Sequence, residues 1–315
     1  MTVEKMAVKN GSLVTEFILL GIIDQPELQI PLFLLFLVTY MITALGNLTL
    51  IILIILNSHL HTPMYFFLFN LSCIDLCYSS VIIPKMLMNF MLTENVISYT
   101  GCMTQLFLFC FFVICECYVL TSMAYDRYVA ICKPLLYNIA LSPKVCSYLM
   151  LGSYLMGFSG AMIHTGFILR LTFCDRNTIN HYFCDVLPLL QLSCTSTYAS
   201  ELELFIVTGK DIIVPTCIIF TSYGLIIFSI LKIRSTESRS KAFNTCSSHI
   251  LAVCMFFGSG AFMYLKPTSV VSMDEGKFSS IFYTVVVPMM NPLIYSLRNK
   301  DVKVALRKTL SRRMF

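Results

Sequence analysis

The chain has 315 residues, of which 57% are hydrophobic and 12% charged, with a formal net charge of +5 and a mean hydropathy of +0.79. A soluble globular protein averages about 25% charged residues, so this chain has too little polar surface to face water on all sides. The balance excludes a freely soluble domain and points to membrane lipid, not nucleic acid, as its surroundings.

The first residues carry Glu4, Lys5, Lys9 and Glu16 and lack the basic start, apolar middle and small-residue cleavage site of a removable signal peptide. The first long apolar run, Ile30–Leu56, is therefore expected to serve as an uncleaved signal anchor. A spanning helix needs about 20 mostly apolar residues. Seven such runs follow in order, at 27–56, 61–90, 98–131, 142–168, 198–231, 242–265 and 277–297. Pro84, Pro215, Pro288 and Pro292 fall within or near the ends of these runs and imply kinks, since a bundle can re-satisfy the backbone groups that proline frees. With 16 Tyr and no Trp, any aromatic belt at the interface is built from tyrosine. The expected architecture is an all-α membrane protein: a segment at 1–26, a seven-helix bundle at 27–297 and a cytoplasmic tail at 298–315.

Lys and Arg set the orientation. With the amino terminus outside, Arg127, Lys133, Lys144, Lys232, Arg234, Arg239 and Lys241 lie on the inner side with the tail residues Arg298, Lys300, Lys303, Arg307, Lys308, Arg312 and Arg313. The outer side and outer helix ends hold fewer: Lys5, Lys9, Arg170, Arg176, Lys266 and Lys277, with Lys85 and Lys210. The sequon at Asn10 then lies outside, where glycosylation can occur, whereas those at Asn47 and Asn70 fall inside helices. In the tail, Val302, Val304, Ala305, Leu306 and Leu310 alternate with bases, as in a short amphipathic helix on the anionic inner leaflet; a disordered basic tail is the alternative.

Of 14 Cys, Cys102, Cys174, Cys184 and Cys194 fall on the outer side, and four thiols in an oxidising compartment imply two disulfides with three pairings open. A bond from Cys102 to the long loop would form a lid over the bundle. Zinc binding at His181 and Cys184 is the less favoured alternative. The other ten Cys read as small apolar packing residues.

Charges within the apolar runs need a reason. Asp75 and Glu116 cannot both ionise at low cost without a cation or a shared proton. Lys210 and Asp211 either pair with each other or with adjacent helices, or anchor a polar ligand group, with the structural role favoured. Asp126-Arg127-Tyr128 closes the third run at the basic side, where a cytosolic partner would dock; the simpler role of Arg127 is a charge snorkelling at a helix end.

These residues belong to a set of motifs that runs through nearly the whole chain. They are Gly46-Asn47, LHTPMYFFLFNLS (Leu60–Ser72), PKML (Pro84–Leu87), MAYDRYVAICKPLLY (Met123–Tyr137), Ser222-Tyr223, KAFNTCSSH (Lys241–His249) and PMMNPLIYSLRNKDV (Pro288–Val302). In this order they resemble the odorant receptors of the rhodopsin-like superfamily, in the tetrapod class II branch. The resemblance implies a plasma-membrane receptor of olfactory sensory neuron cilia. It would bind a small-molecule odorant and activate a heterotrimeric G protein of the stimulatory olfactory type, raising cyclic AMP. It implies disulfides Cys102–Cys184 and Cys174–Cys194, no organic cofactor, and a sodium ion at Asp75 and Glu116 near Asn47 and Asn291. A protonated, hydrogen-bonded pair is the alternative. Arg127 would be latched to Asp126 at rest and released on activation, with Tyr223, His249, Asn291, Pro292 and Tyr295 moving alongside.

A ligand pocket should be mostly apolar with a few polar anchors. One face of the third helix offers Phe109, Cys110, Val113 and Ile114. Val207 and Asp211 in the fifth, Phe257, Gly260, Ala261 and Tyr264 in the sixth, and Thr284 in the seventh complete the set. Phe109 stands where amine receptors of the superfamily carry an aspartate, and no lysine lies between Phe278 and Leu297 for a retinal Schiff base. Phe257 stands where many odorant receptors have tyrosine. A transporter or channel is the competing reading, because buried carboxylates also mark ion pathways, but the chain shows no inverted repeat. Enzyme chemistry is disfavoured: no metal-ligand spacing or nucleophile-base set falls in one shared pocket.

Overall fold

A computed structural model describes residues 14–23, 25–92, 95–174, 177–232, 235–265, 273–298 and 300–313. Asn10 lies outside the described residues, as do Lys5, Lys9, Arg176, Arg234 and Lys266.

Seven long apolar helices run through the described residues: α1 Pro26–Leu56, α2 Pro63–Met91, α3 Tyr99–Cys132, α4 Pro143–Ile168, α5 Tyr198–Leu231, α6 Thr236–Tyr264, and α7. The last is built of Met273–Ile281, a π-helical stretch Phe282–Val286, and Val287–Arg298. Several starts are set by proline at the first helical position (Pro26, Pro63, Pro143), where its missing N–H would be unpaired anyway. α6 begins six residues before the apolar run does, because its first turns need no lipid-facing surface on the cytosolic side.

α3 is the central post of the bundle and α1 a peripheral one: 67% of the spanning window of α3 is buried against 28% for α1. Ile30, Leu34, Leu35, Val38, Leu45 and Ile55 of α1 are exposed, a stripe that only hydrocarbon can solvate. α4 approaches α3 closely because Gly157 has no side chain; a Cβ there would sit 2.8 Å from the Phe111 carbonyl oxygen and against Cys115 Sγ. Gly46 of α1 does the same for Pro292 of α7, whose ring carbon would lie 3.0 Å from an added Cβ. Pro292 cannot bond the carbonyl of Pro288 one turn back, and Asn47 Nδ2 donates to that oxygen at 3.2 Å instead.

The all-α expectation omitted a small sheet on the outer side. β1 (Glu16–Leu19) pairs antiparallel with β2 (Val96–Ser98) and parallel with β3 (Thr178–Ile179). Strands this short leave no periodicity to read; what fixes them is burial of Phe17 and Leu19 beneath the long loop. That loop also forms a short helix, Val186–Leu192, capped by the Asp185 side chain. A further helix, α8 (Lys300–Arg313), follows α7. Val302 and Ala305 are buried against the bundle and Tyr65 donates to Asp301 at 3.2 Å, whereas Val304 and Leu306 face outward.

Candidate functional site

The structure joins Cys102 to Cys184 and Cys174 to Cys194. The first bond pins the long loop to the outer end of α3. Polar contacts finish the lid: Cys184 N–H donates to Gln105 Oε1 at 2.9 Å, and Tyr182 shares a hydrogen bond with Thr284 at 2.8 Å. Ser280 donates to Tyr182 at 2.9 Å, and His181 and Ser280 share a contact at 3.3 Å. With these partners and Cys184 oxidised, the zinc alternative has lost its thiolate. Burial, with the Lys277 charge adding to it, pushes the His181 imidazole down to about 3, so it is neutral. Asp185 accepts from Tyr264 Oη through both oxygens at 2.9 Å and from Val186 N–H at 2.7 Å. Burial lifts Asp185 to about 6 despite those donors.

Beneath the lid lies a cavity of about 630 Å³ of non-atom space, part of it open to solvent. Its walls include Phe109, Cys110, Val113 and Ile114 of α3, Asp211 of α5, and Phe257, Gly260 and Tyr264 of α6, as expected from the sequence. Val207, Ala261 and Thr284, also expected there, are not among the wall residues. On α5 the lining repeats as Leu204, Thr208, Asp211 and Ile212, the 3.6-residue face, and Val207 falls beside it. Ala261, beside Phe257, Gly260 and Tyr264 at helical spacing, is partly buried and packs against the core. Thr284 is fully buried, donating to Ser280 O at 2.7 Å and held by Tyr182; Tyr283 lines the cavity in its place.

Cys117, Val186, Phe256 and His164 were missed. Val186 reaches the wall where the disulfide at Cys184 and the Tyr264 hydroxyl on Asp185 hold the loop inward. His164 had a signal: a histidine in an apolar run of α4, with the acidic Glu201, Glu203 and Asp211 on α5 to answer it. The structure sets His164 Nδ1 2.9 Å from Glu203 Oε1, both buried. Lys210 Nζ and Asp211 Oδ1 are 3.0 Å apart, with Lys210 about half exposed and Asp211 buried. Tyr118 donates to the same Asp211 oxygen at 2.7 Å.

Half-way down the bundle, Asn291 Nδ2 donates to Asp75 Oδ2 at 3.0 Å and Glu116 Oε1 at 3.3 Å. One oxygen of each carboxylate, the Asn291 Oδ1 and the Asn47 Oδ1 are buried with no hydrogen bond from a described residue. Oxygen donors left open beside two carboxylates fit a small hard cation. Among the described residues no group of three or more His, Cys, Asp or Glu comes together.

At the inner end, Tyr223 of α5 and His249 of α6 share a hydrogen bond at 2.6 Å. Tyr295 of α7 is buried nearby in the same core. Asp126 accepts from Tyr137 Oη at 2.7 Å, and Arg127 forms no ion pair with it among the described residues. Asp126 is thus held by the loop tyrosine, and Arg127 Nε is buried and donates no hydrogen bond to its described neighbours. Tyr128 is half-buried, with Lys133 Nζ 5.6 Å over its ring.

Residues 36–313 match the family model described as olfactory receptor. Mouse olfactory receptor 8B8 is 68% identical over 310 residues, covering 98% of this chain and all of the relative. Human olfactory receptor 8B3 is 68% identical over 305 residues, 97% of each chain. Among solved structures, squid rhodopsin superposes with a TM-score of 0.71 at 19% identity, covering 92% of this chain and 87% of rhodopsin, a likeness of fold.

Proposed function

The chain belongs to the olfactory receptor family and is a multi-pass, G protein-coupled odorant receptor, and from that premise we propose that a ligand in the lidded cavity activates a stimulatory G protein of the olfactory type and raises cyclic AMP. The observation that carries the reading is the layout along α3. Phe109, Cys110, Val113 and Ile114 face the cavity, Glu116 faces the Asn291 cluster, and Asp126-Arg127 close the inner end of the same helix. A ligand that favours one arrangement of α3 against α5, α6 and α7 biases the inner face by its differential affinity. The plasma membrane, in cilia of olfactory neurons, is where this coupling would operate. A sodium ion held by Asp75, Glu116 and Asn291 would supply charge balance to the resting arrangement.

The test is a cyclic AMP assay in cells expressing the chain with an olfactory-type G protein, against a chemically diverse odorant panel. Arg127→Ala is run alongside at matched surface density. A rise in the intact chain that is lost in the variant supports the reading. Ligand-evoked ion flux without cyclic AMP overturns it.

A further inference from the structure

Asp211 differs from the rest of the cavity wall. It is 3% exposed and lines the cavity from α5, one turn before Pro215. Its Oδ1 is fully engaged, by Tyr118 Oη at 2.7 Å and Lys210 Nζ at 3.0 Å. Its Oδ2 is equally buried yet takes no hydrogen bond from any described residue. A buried carboxylate oxygen left in that state is costly, and a donor supplied by a ligand removes the cost.

Oδ2 faces Gly160 of α4, where an added Cβ would lie 3.7 Å from it; the side chain packed into that position is Ile114, whose Cδ1 would lie 2.5 Å from the same Cβ and which is itself part of the cavity wall. His164, one turn along the same face of α4, also lines the cavity, but its Nδ1 is turned to Glu203 at 2.9 Å. The remaining walls are dominated by Phe, Val, Leu, Ile and Cys. An apolar chamber with one buried, unpaired acceptor in its wall recognises an apolar body that carries one donor.

We propose that this cavity selects ligands with a hydroxyl group on a hydrocarbon body, the hydroxyl donating to Asp211 Oδ2; the proposal rests on the reading of the cavity as the odorant site. A neutral hydroxyl is favoured over an ammonium because Lys210 already balances the carboxylate charge. Aldehydes, ketones and ethers offer only lone pairs and meet the carboxylate oxygen repulsively. A site built to bond a hydroxyl rejects analogues that lack it far more strongly than a greasy pocket rejects a missing methylene.

The experiment uses purified full-length receptor, read by thermal stabilisation for binding, with cyclic AMP read separately in cells. The probes are primary alcohols of graded chain length and phenols, each beside its methyl ether, with the matching aldehydes and amines. The intact receptor should bind alcohols at least about tenfold more tightly than their ethers. Asp211→Asn keeps the oxygen that Tyr118 bonds and places an N–H₂ donor at the Oδ2 position. The preference should then invert towards ethers and aldehydes, which loss of structure alone would not produce. Equal binding of alcohols and ethers, tighter binding of amines than alcohols, a parallel loss of all probes in Asp211→Asn, or no stabilisation by any alcohol would each overturn the proposal. Probes that follow the expected binding order without raising cyclic AMP uphold this site and count against the coupling mechanism instead.

Discussion

The Tyr137 hydroxyl donates to Asp126 at 2.7 Å, tying the second inner loop to the base of α3 and occupying the carboxylate beside Arg127. Outside the spanning helices, Tyr137 is pushed upward by burial and by the Asp126 charge, so its phenol keeps its proton and remains a donor. Tyr137→Phe leaves Asp126 buried and in search of a donor, and Arg127 is the adjacent candidate. The expected outcome is a weaker ligand response, by roughly fivefold in potency for the loss of one net hydrogen bond of about 1 kcal/mol. Concentration–response curves for cyclic AMP at equal surface density check it; an unchanged curve removes the switch from the mechanism.

The bond between Tyr223 and His249 joins α5 to α6 across a buried contact. Tyr223→Phe strands a ring nitrogen of His249, a loss of about 1–3 kcal/mol. The thermal midpoint of the purified, unliganded variant should fall accordingly. Tyr223→Phe together with His249→Leu should recover part of that loss, because an apolar pair leaves nothing unpaired.

The two disulfides should not be equally valuable. Cys102–Cys184 closes a separation of 82 residues and Cys174–Cys194 one of 20. In the chain-entropy account, the longer loop contributes about 1 kcal/mol more. Cys184→Ser should lower surface expression and thermal stability more than Cys194→Ser. It should also abolish ligand binding, since Val186 leaves the cavity wall with it.

Acid should act on the lid through two opposed groups. His181 falls from an ordinary 6.5 to about 3, so the stability linked to its neutral form is present above about 6.5 and lost as pH drops towards 3. Asp185 rises from 3.8 to about 6, so its contribution is full below about 3.8 and lost as pH climbs through 6. Between about pH 4 and 6 the two slopes largely cancel in the intact receptor. In Asp185→Asn the compensation is gone, and thermal stability should decline steadily from about pH 6.5 downward. A flat profile in that variant contradicts the assignment.

If a sodium ion stabilises the resting state, replacing choline chloride by sodium chloride at constant ionic strength should lower ligand-independent cyclic AMP. Asp75→Asn should remove that dependence while leaving Asn291 a partner. Equal basal signalling in both salts sinks the sodium proposal.

The seven apolar runs, their orientation and the motif order were legible in the sequence, because hydrocarbon demands length and hydropathy that no other solvent does. So were the α3 and α6 faces of the cavity, since Phe109, Cys110, Val113 and Ile114 repeat at helical spacing. Side-chain partners were not legible. A local string cannot say that Asp126 turns to Tyr137 and not to Arg127, that Thr208 and not Val207 faces inward, or that Tyr283 displaces Thr284. Each depends on helix rotation, which is set by close contacts such as Gly157 against Phe111.

The residues alone determined that this chain spans a membrane seven times with its basic side inward, because the cost of burying charge and unpaired backbone in lipid is written into composition. Tertiary structure alone decided which buried polar atoms are satisfied. Helix packing buries Asp211 Oδ2 against Gly160 and Ile114 without a donor, and an unpaired oxygen is a property of its surroundings and not of the residue that carries it.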